Sequence, residues 1–284
     1  MKKVFLSIAT MLSLVSSAQP AIDKGKMEVF DLGSFKLHVY TTNDALGDAS
    51  FIIEGKNELV TLEHPLFKDN IAEFSSYIKS LKKPVVKSIA DYHITGSYAD
   101  YHASGVVMAQ GMPAFEQGEV YGGMMKNFSS IFGDAIDTRP HGEVEEVSFG
   151  STHKWANVDF TFSKGAASDF PAASINIGGK VYFTHWAPAK SHIGYLQVSS
   201  LSGVEAEIAE AENALKSGCE IFIGGHGGAA KRDAVLFKID YLKTMRKVLK
   251  TSKTSDEFIS SMTAAYPELP EVENLTKIAE AIFK

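Results

Sequence analysis

Twice along this chain, apolar runs and a helix lead into one further apolar run that ends in a polar loop bearing histidine. That order constrains the fold more than any other feature. In the first half, Phe35–Tyr40 alternates, and Ala49–Glu54 and Leu59–Leu62 are short apolar runs separated by the turn Gly55-Lys56-Asn57. Asn70–Leu81 then places Ile71, Phe74, Ile78 and Leu81 on one helical face, with Asp69 or Asn70 as N-cap and Pro84 just past its end. Val85–Ala90 reads as the next strand and runs into the polar stretch Asp91–His102.

The second half repeats the order without repeating the sequence. Val144–Phe149, Val158–Phe162, Ala173–Ile177 and Val181–Thr184 are strand-like, and Gly178-Gly179-Lys180 is a hairpin turn between the last two. Val204–Ser217 is an amphipathic helix closed by Gly218, and Glu220–Ile223 leads into Gly224-Gly225-His226-Gly227-Gly228. Lys231–Thr251 is a long helix, and two shorter ones follow on either side of Pro267–Pro270. Gly118–Gly133, with Met124 and Met125, carries no clear period. Strand-rich halves flanked by helices predict an α/β fold of stacked sheets with helices outside. With no Pro-rich linker or low-complexity tract, one domain is expected over residues 19–284, its C-terminal helices within 231–284.

The N-terminus predicts export. Lys2 and Lys3 precede the apolar run Val4–Val15, and Ser16-Ser17-Ala18 supplies small residues for cleavage before Gln19. The run is shorter than the ~20 residues a membrane span needs. The expectation is a signal peptide over residues 1–18, a periplasmic or secreted product, and no membrane insertion after cleavage. Removing two lysines takes the formal charge from −6 to −8. A mildly acidic chain without basic runs excludes a nucleic-acid partner and leaves a small-molecule one. The single cysteine, Cys219, excludes an internal disulfide and reads as a buried thiol within an apolar run.

Four segments resemble the metallo-β-lactamase superfamily. Ala49–Pro65 is similar to that family's opening hairpin, ending in an acidic residue, here Glu63. Val85–Gly96 is similar to the strand delivering its main metal motif, Ala173–Trp186 to the later hairpin ending in a bridging Asp, and Ala214–Ala229 to the block carrying its last His. The resemblance implies a four-layer αβ/βα sandwich with a metal site at one edge between the sheets. It also implies hydrolysis by water activated on zinc.

The sequence departs from the family's His-x-His-x-Asp-His motif. Asp91 stands at the first His and His93 keeps the second, while Thr95 and Gly96 replace the Asp and His of the second metal. Lys164-Gly165-Ala166 stands where a further His is expected after Val158–Phe162. The bridging Asp is missing from Phe183-Thr184-His185-Trp186, although His185 is adjacent, and His226 matches the last ligand. The candidate metal set is therefore Asp91, His93, His185 and His226, suited to one Zn²⁺, Fe²⁺ or Mn²⁺ ion. A metal-free site is the alternative. Two functions follow: a mononuclear metallohydrolase acting on a small substrate, or a catalytically silent binding or structural protein of the periplasm. His64 is a candidate pocket residue. His102 is expected on a helix face, and His38, His141, His153 and His192 at the surface. Tyr92, Tyr98, Tyr101 and Trp186 are aromatic candidates near the pocket.

Overall fold

The computed structural model describes residues 20–93, 105–139, 141, 143–165 and 171–283. The expected signal peptide, Thr95, Gly96, Tyr98, Tyr101, His102 and Ala166 lie outside the described residues. Seven strands form the first sheet in sequential order: β1 (Gly25–Asp31), β2 (Lys36–Thr42), β3 (Ala49–Glu54), β4 (Leu59–Leu62), β5 (Val85–Ile89), β6 (Val106–Ala109) and β7 (Val144–Val147). The pairs from β1 to β4 are antiparallel, and those from β4 to β7 are parallel. Helix α1 (Lys68–Ser80) makes the β4-to-β5 crossover; α2 (Met112–Glu116) and α3 (Glu119–Phe132) lie between β6 and β7.

The second sheet runs β12-β11-β10-β9-β8, with β8 (Thr152–Trp155), β9 (Val158–Lys164), β10 (Ala173–Ile177), β11 (Val181–Trp186) and β12 (Ile221–His226). Helix α4 (Leu201–Lys216) precedes β12; α5 (Arg232–Thr251), α6 (Ser255–Ala265) and α7 (Glu273–Ile282) follow it.

Period-two alternation sorts the side chains into layers. Leu37 and Val39 of β2 and Phe51 and Ile53 of β3 enter the core between the sheets, meeting Phe160, Phe162, Ile175, Phe183 and Ile223. Their alternates, Tyr40 and Ile52, face outward onto Phe74, Tyr77 and Ile78 of α1. On the second sheet, Tyr182 and Phe222 point out onto Ala211 of α4 and Val235 and Ile239 of α5. Each fully buried Phe or Ile contributes ~1.5–3 kcal/mol, so both sheets are held on both faces. The layers are helix, sheet, sheet, helix, as the αβ/βα expectation requires. Helices α4 to α7 add a separate apolar cluster around Tyr241, Leu242, Met245, Phe258 and Ile278. No helix among the described residues is long and apolar enough to cross a membrane.

Local corrections have physical causes. Helix α1 starts at Lys68 with Phe67 as N-cap, not Asp69 or Asn70. Asn70 Nδ2 instead donates to the Lys24 carbonyl at 2.8 Å and to Tyr40 Oη at 3.0 Å. Glu119–Phe132 is helical despite its weak period. The expected surface histidines are largely buried. His38 lies under α1, with Nδ1 3.0 Å from Tyr77 Oη and Nε2 2.9 Å from Glu54 Oε2. His192 packs against α5, its Nδ1 2.8 Å from Tyr241 Oη. His141 is buried beside Glu116, whose carboxylate accepts its backbone N–H at 2.9 Å. Polar atoms that find internal partners can be buried at little cost, which hydropathy alone does not reveal. Cys219 is buried, as expected, against α4 and α5.

Candidate metal centre

Parallel strands bring their C-terminal ends to one edge of a sheet, and that geometry assembles half of the site. β11 continues past its expected end, so that His185 and Trp186 are strand residues, and Trp186 pairs in register with His226 at the end of β12. The Gly-Gly pair before His226 makes this approach possible. A Cβ on Gly224 would lie 2.2 Å from the Ala187 nitrogen, and one on Gly225 would lie 2.9 Å from Cε1 of His93.

The other half comes from the first sheet. Glu63, one residue past β4, is fully buried at φ +59°. Its carboxylate accepts backbone N–H bonds from Asp91 at 3.0 Å, Tyr92 at 3.0 Å and His93 at 2.6 Å. One side chain therefore shapes the turn after β5 and aims His93 across the sandwich. Burial pushes the Glu63 carboxyl up to about 8, against the pull of those three donors.

One ring nitrogen from each of His93, His185 and His226 converges, all within 4.8 Å of one another. Nε2 of His93 and Nε2 of His226 are 3.2 Å apart. At a Zn–N distance of ~2.0–2.1 Å, two nitrogens on a tetrahedral ion lie ~3.3 Å apart, so this spacing fits one shared cation. The opposite edges of the two rings face carboxylates. His226 Nδ1 is 3.3 Å from Asp48 Oδ1, and His93 Nδ1 is 3.3 Å from Glu63 Oε2. These are close approaches without hydrogen-bond geometry, and His93 Nδ1 has no hydrogen-bond partner among the described residues. A small turn of either ring would bring its N–H onto the carboxyl group, the arrangement that fixes orientation and tautomer in ligating imidazoles. Aromatic stacking holds the remaining faces: Tyr92 on His185 at 4.3 Å, and Trp186 on His226 at 4.4 Å. Burial lowers the pKa of His93 to about 4; burial and then His93 bring His226 to about 4; burial holds His185 well below its usual value. All three are neutral at pH 7, the form that ligates metal.

Asp91 is a correction. Its carboxylate accepts the Ala173 N–H at 3.0 and 3.1 Å, tying the β5 turn to the first residue of β10 in the fully buried interior. Burial, then the nearby Glu63, pushes its carboxyl well up. It is a cross-sheet tie, outside the histidine cluster. The acid beside the histidines is Asp48, which the sequence reading missed. Asp48 is buried and bridges to His226, and burial pushes its carboxyl up to about 7. The available signal was an acidic residue directly before the apolar run Ala49–Glu54. His64 is fully buried, its ring 6.1 Å from that of His141. His153 is half-buried and stacks on Trp155.

No protein-family model matches this sequence, and no curated protein matches it in sequence. Solved structures match it in shape. A metallo-β-lactamase family protein from Thermus thermophilus aligns with a TM-score of 0.58 at 12% identity, over 88% of this chain and 91% of that one. The fold is that of the metallo-β-lactamases. The metallo-β-lactamase DIM-1 aligns at 0.51 and 12% identity, over 78% of this chain and 99% of its own. The stereoselective inverting sec-alkylsulfatase Pisa1 from Pseudomonas sp. aligns at 0.59 and 15% identity, over 90% of this chain, which spans 50% of the sulfatase's length. On the metallo-β-lactamase fold, the strand ends carrying His93, His185 and His226 are the edge where the sequence resemblance expects a metal.

Proposed function

We propose that the protein is an exported hydrolase holding one divalent ion on His93, His185 and His226 and acting on a small substrate. The observation that carries this reading is the convergence of three neutral imidazoles, with two Nε2 atoms 3.2 Å apart and a carboxylate behind each of those rings. Zn²⁺ suits this donor set, as do Fe²⁺ and Mn²⁺, and such an ion supplies Lewis acidity and brings the pKa of bound water to ~7. The chain's own part is positioning. Glu63 and Asp48 flank the rings of His93 and His226, Trp186 stacks on His226 and Tyr92 on His185, and residual exposure of 13% at His93 and 23% at His226 leaves the centre open to substrate.

Purification without chelator followed by elemental analysis tests the reading. The expected result is near one Zn, Fe or Mn per chain, lost in His93→Ala because removing one of three protein ligands leaves too few to offset ion dehydration. Absence of metal, together with no Zn²⁺ binding by calorimetry, would leave a silent scaffold. Export is tested separately: the secreted protein should have the mass of a chain beginning at Gln19, allowing for cyclisation of that residue.

A further inference from the structure

A cavity of about 280 Å³ opens beside the histidine cluster, with Trp186 and His226 in its wall. Its other walls come from the loop after β11 and from α5 and α7, including Ile193, Phe237 and Tyr241. Trp186 stacks on His226, so one indole borders both the cavity and the candidate metal ligands.

The lysine, carboxylate and amide side chains lining the cavity are already engaged. Lys238, 5% exposed, is 2.7 Å from Glu207 Oε2, which also receives Gln197 Nε2 at 2.8 Å. His192 Nδ1 lies 2.8 Å from Tyr241 Oη, and Asn274 Nδ2 donates to the His192 carbonyl at 3.1 Å. Glu271, also in the lining, receives the neutral amide of Asn274 at 3.2 Å. The one lysine among the lining residues is thus neutralised, and Glu271 adds negative charge. An anion entering here would lose its hydration and gain no cationic partner from the wall. Three aromatic side chains offer faces and edges to an apolar group instead.

We propose that this cavity receives the non-reacting part of the substrate, and that this part is a neutral aryl or short acyl group. The proposal rests on the hydrolase reading above and specifies its substrate class.

The test uses fluorine NMR on zinc-reconstituted and zinc-free protein, with para-fluorobenzyl alcohol as the neutral probe and para-fluorobenzenesulfonate as its anionic counterpart. The neutral probe should bind about tenfold more tightly than the sulfonate. Phe237→Ala should weaken its binding by up to about tenfold through loss of one aromatic wall. Ala189→Trp should weaken it similarly by filling the cavity from an exposed loop position, which leaves the helical packing intact. Sulfonate binding as tight as that of the alcohol, or neutral binding unchanged in both variants, would overturn the proposal. So would one tightly held zinc per chain with no probe binding, which would leave the metal reading standing. Probe binding sensitive to both variants, in a chain that takes up no zinc, would support the cavity assignment and remove the hydrolase reading.

Discussion

Asp48 Oδ1 lies 3.3 Å from Nδ1 of His226, while Nε2 of the same ring faces Nε2 of His93 at 3.2 Å. Glu63 stands in the same relation to His93, so each end of the histidine pair is backed by a buried carboxyl group. The two acids flank the β3–β4 hairpin, residue 48 before β3 and residue 63 after β4, and both lie at its open end, which fixes their separation before either histidine is added.

Asp48→Asn is expected to weaken Zn²⁺ binding ~10–100-fold, the usual cost of losing a carboxylate behind a ligating histidine. Calorimetric titration measures this, and a thermal melt of the zinc-free variant separates it from misfolding. Unchanged affinity would mean that Asp48 does not orient His226.

Glu63→Gln should act on both fold and site. The amide keeps one acceptor oxygen and turns an NH₂ toward backbone donors, so at least one buried N–H loses its partner at ~1–3 kcal/mol. Urea denaturation of the zinc-free protein should show this loss, and Zn²⁺ affinity should fall because His93 is released. A variant of unaltered stability would contradict the three hydrogen bonds to the β5 turn.

Gly225→Ala tests the close approach of β12 to His93. The added methyl would lie 2.9 Å from the ring's Cε1, so the ring must shift. Overpacking of this kind costs ~1–3 kcal/mol, and the displaced ring should lower Zn²⁺ affinity. Titration of this variant alongside Gly228→Ala, which meets nothing within 4 Å, provides the internal control.

Stability of the ion-free protein should fall as pH rises from about 6.5 to about 8. Asp48 and Glu63 have folded pKa values raised to about 7 and about 8, so over this interval the native state keeps protons that the unfolded chain has released. Asp91, also raised, acts in the same direction. The lowered histidines work oppositely, but only below their unfolded value of 6.5, where the unfolded chain takes up protons that the native state refuses. The two effects offset each other between about 4.5 and 6.5, and the carboxyl groups alone act above it. Thermal melts after chelation should show Tm dropping by several degrees from pH 6.5 to pH 8. A rising Tm across that range would mean that Asp48 and Glu63 are ionised in the native chain.

The sequence by itself determined many of the elements, although β1, β6, β8 and α3 were not legible in it. Ala49–Glu54, Leu59–Leu62 and Ala173–Ile177 stand where alternation and turn residues put them, because those signals are local. His93 and His226 were legible for the same reason, each sitting where an apolar strand gives way to a polar or glycine-rich turn. What tertiary structure decided was the company they keep. Asp91, two residues from His93, turns inward to the Ala173 N–H, whereas Asp48, 178 residues before His226, becomes that histidine's neighbour. His38 and His192 are buried because Tyr77 and Tyr241 reach them from helices distant in the chain. A strand's period says which face a side chain takes, but not which strand end lies opposite, and a metal site is made where strand ends from both sheets meet.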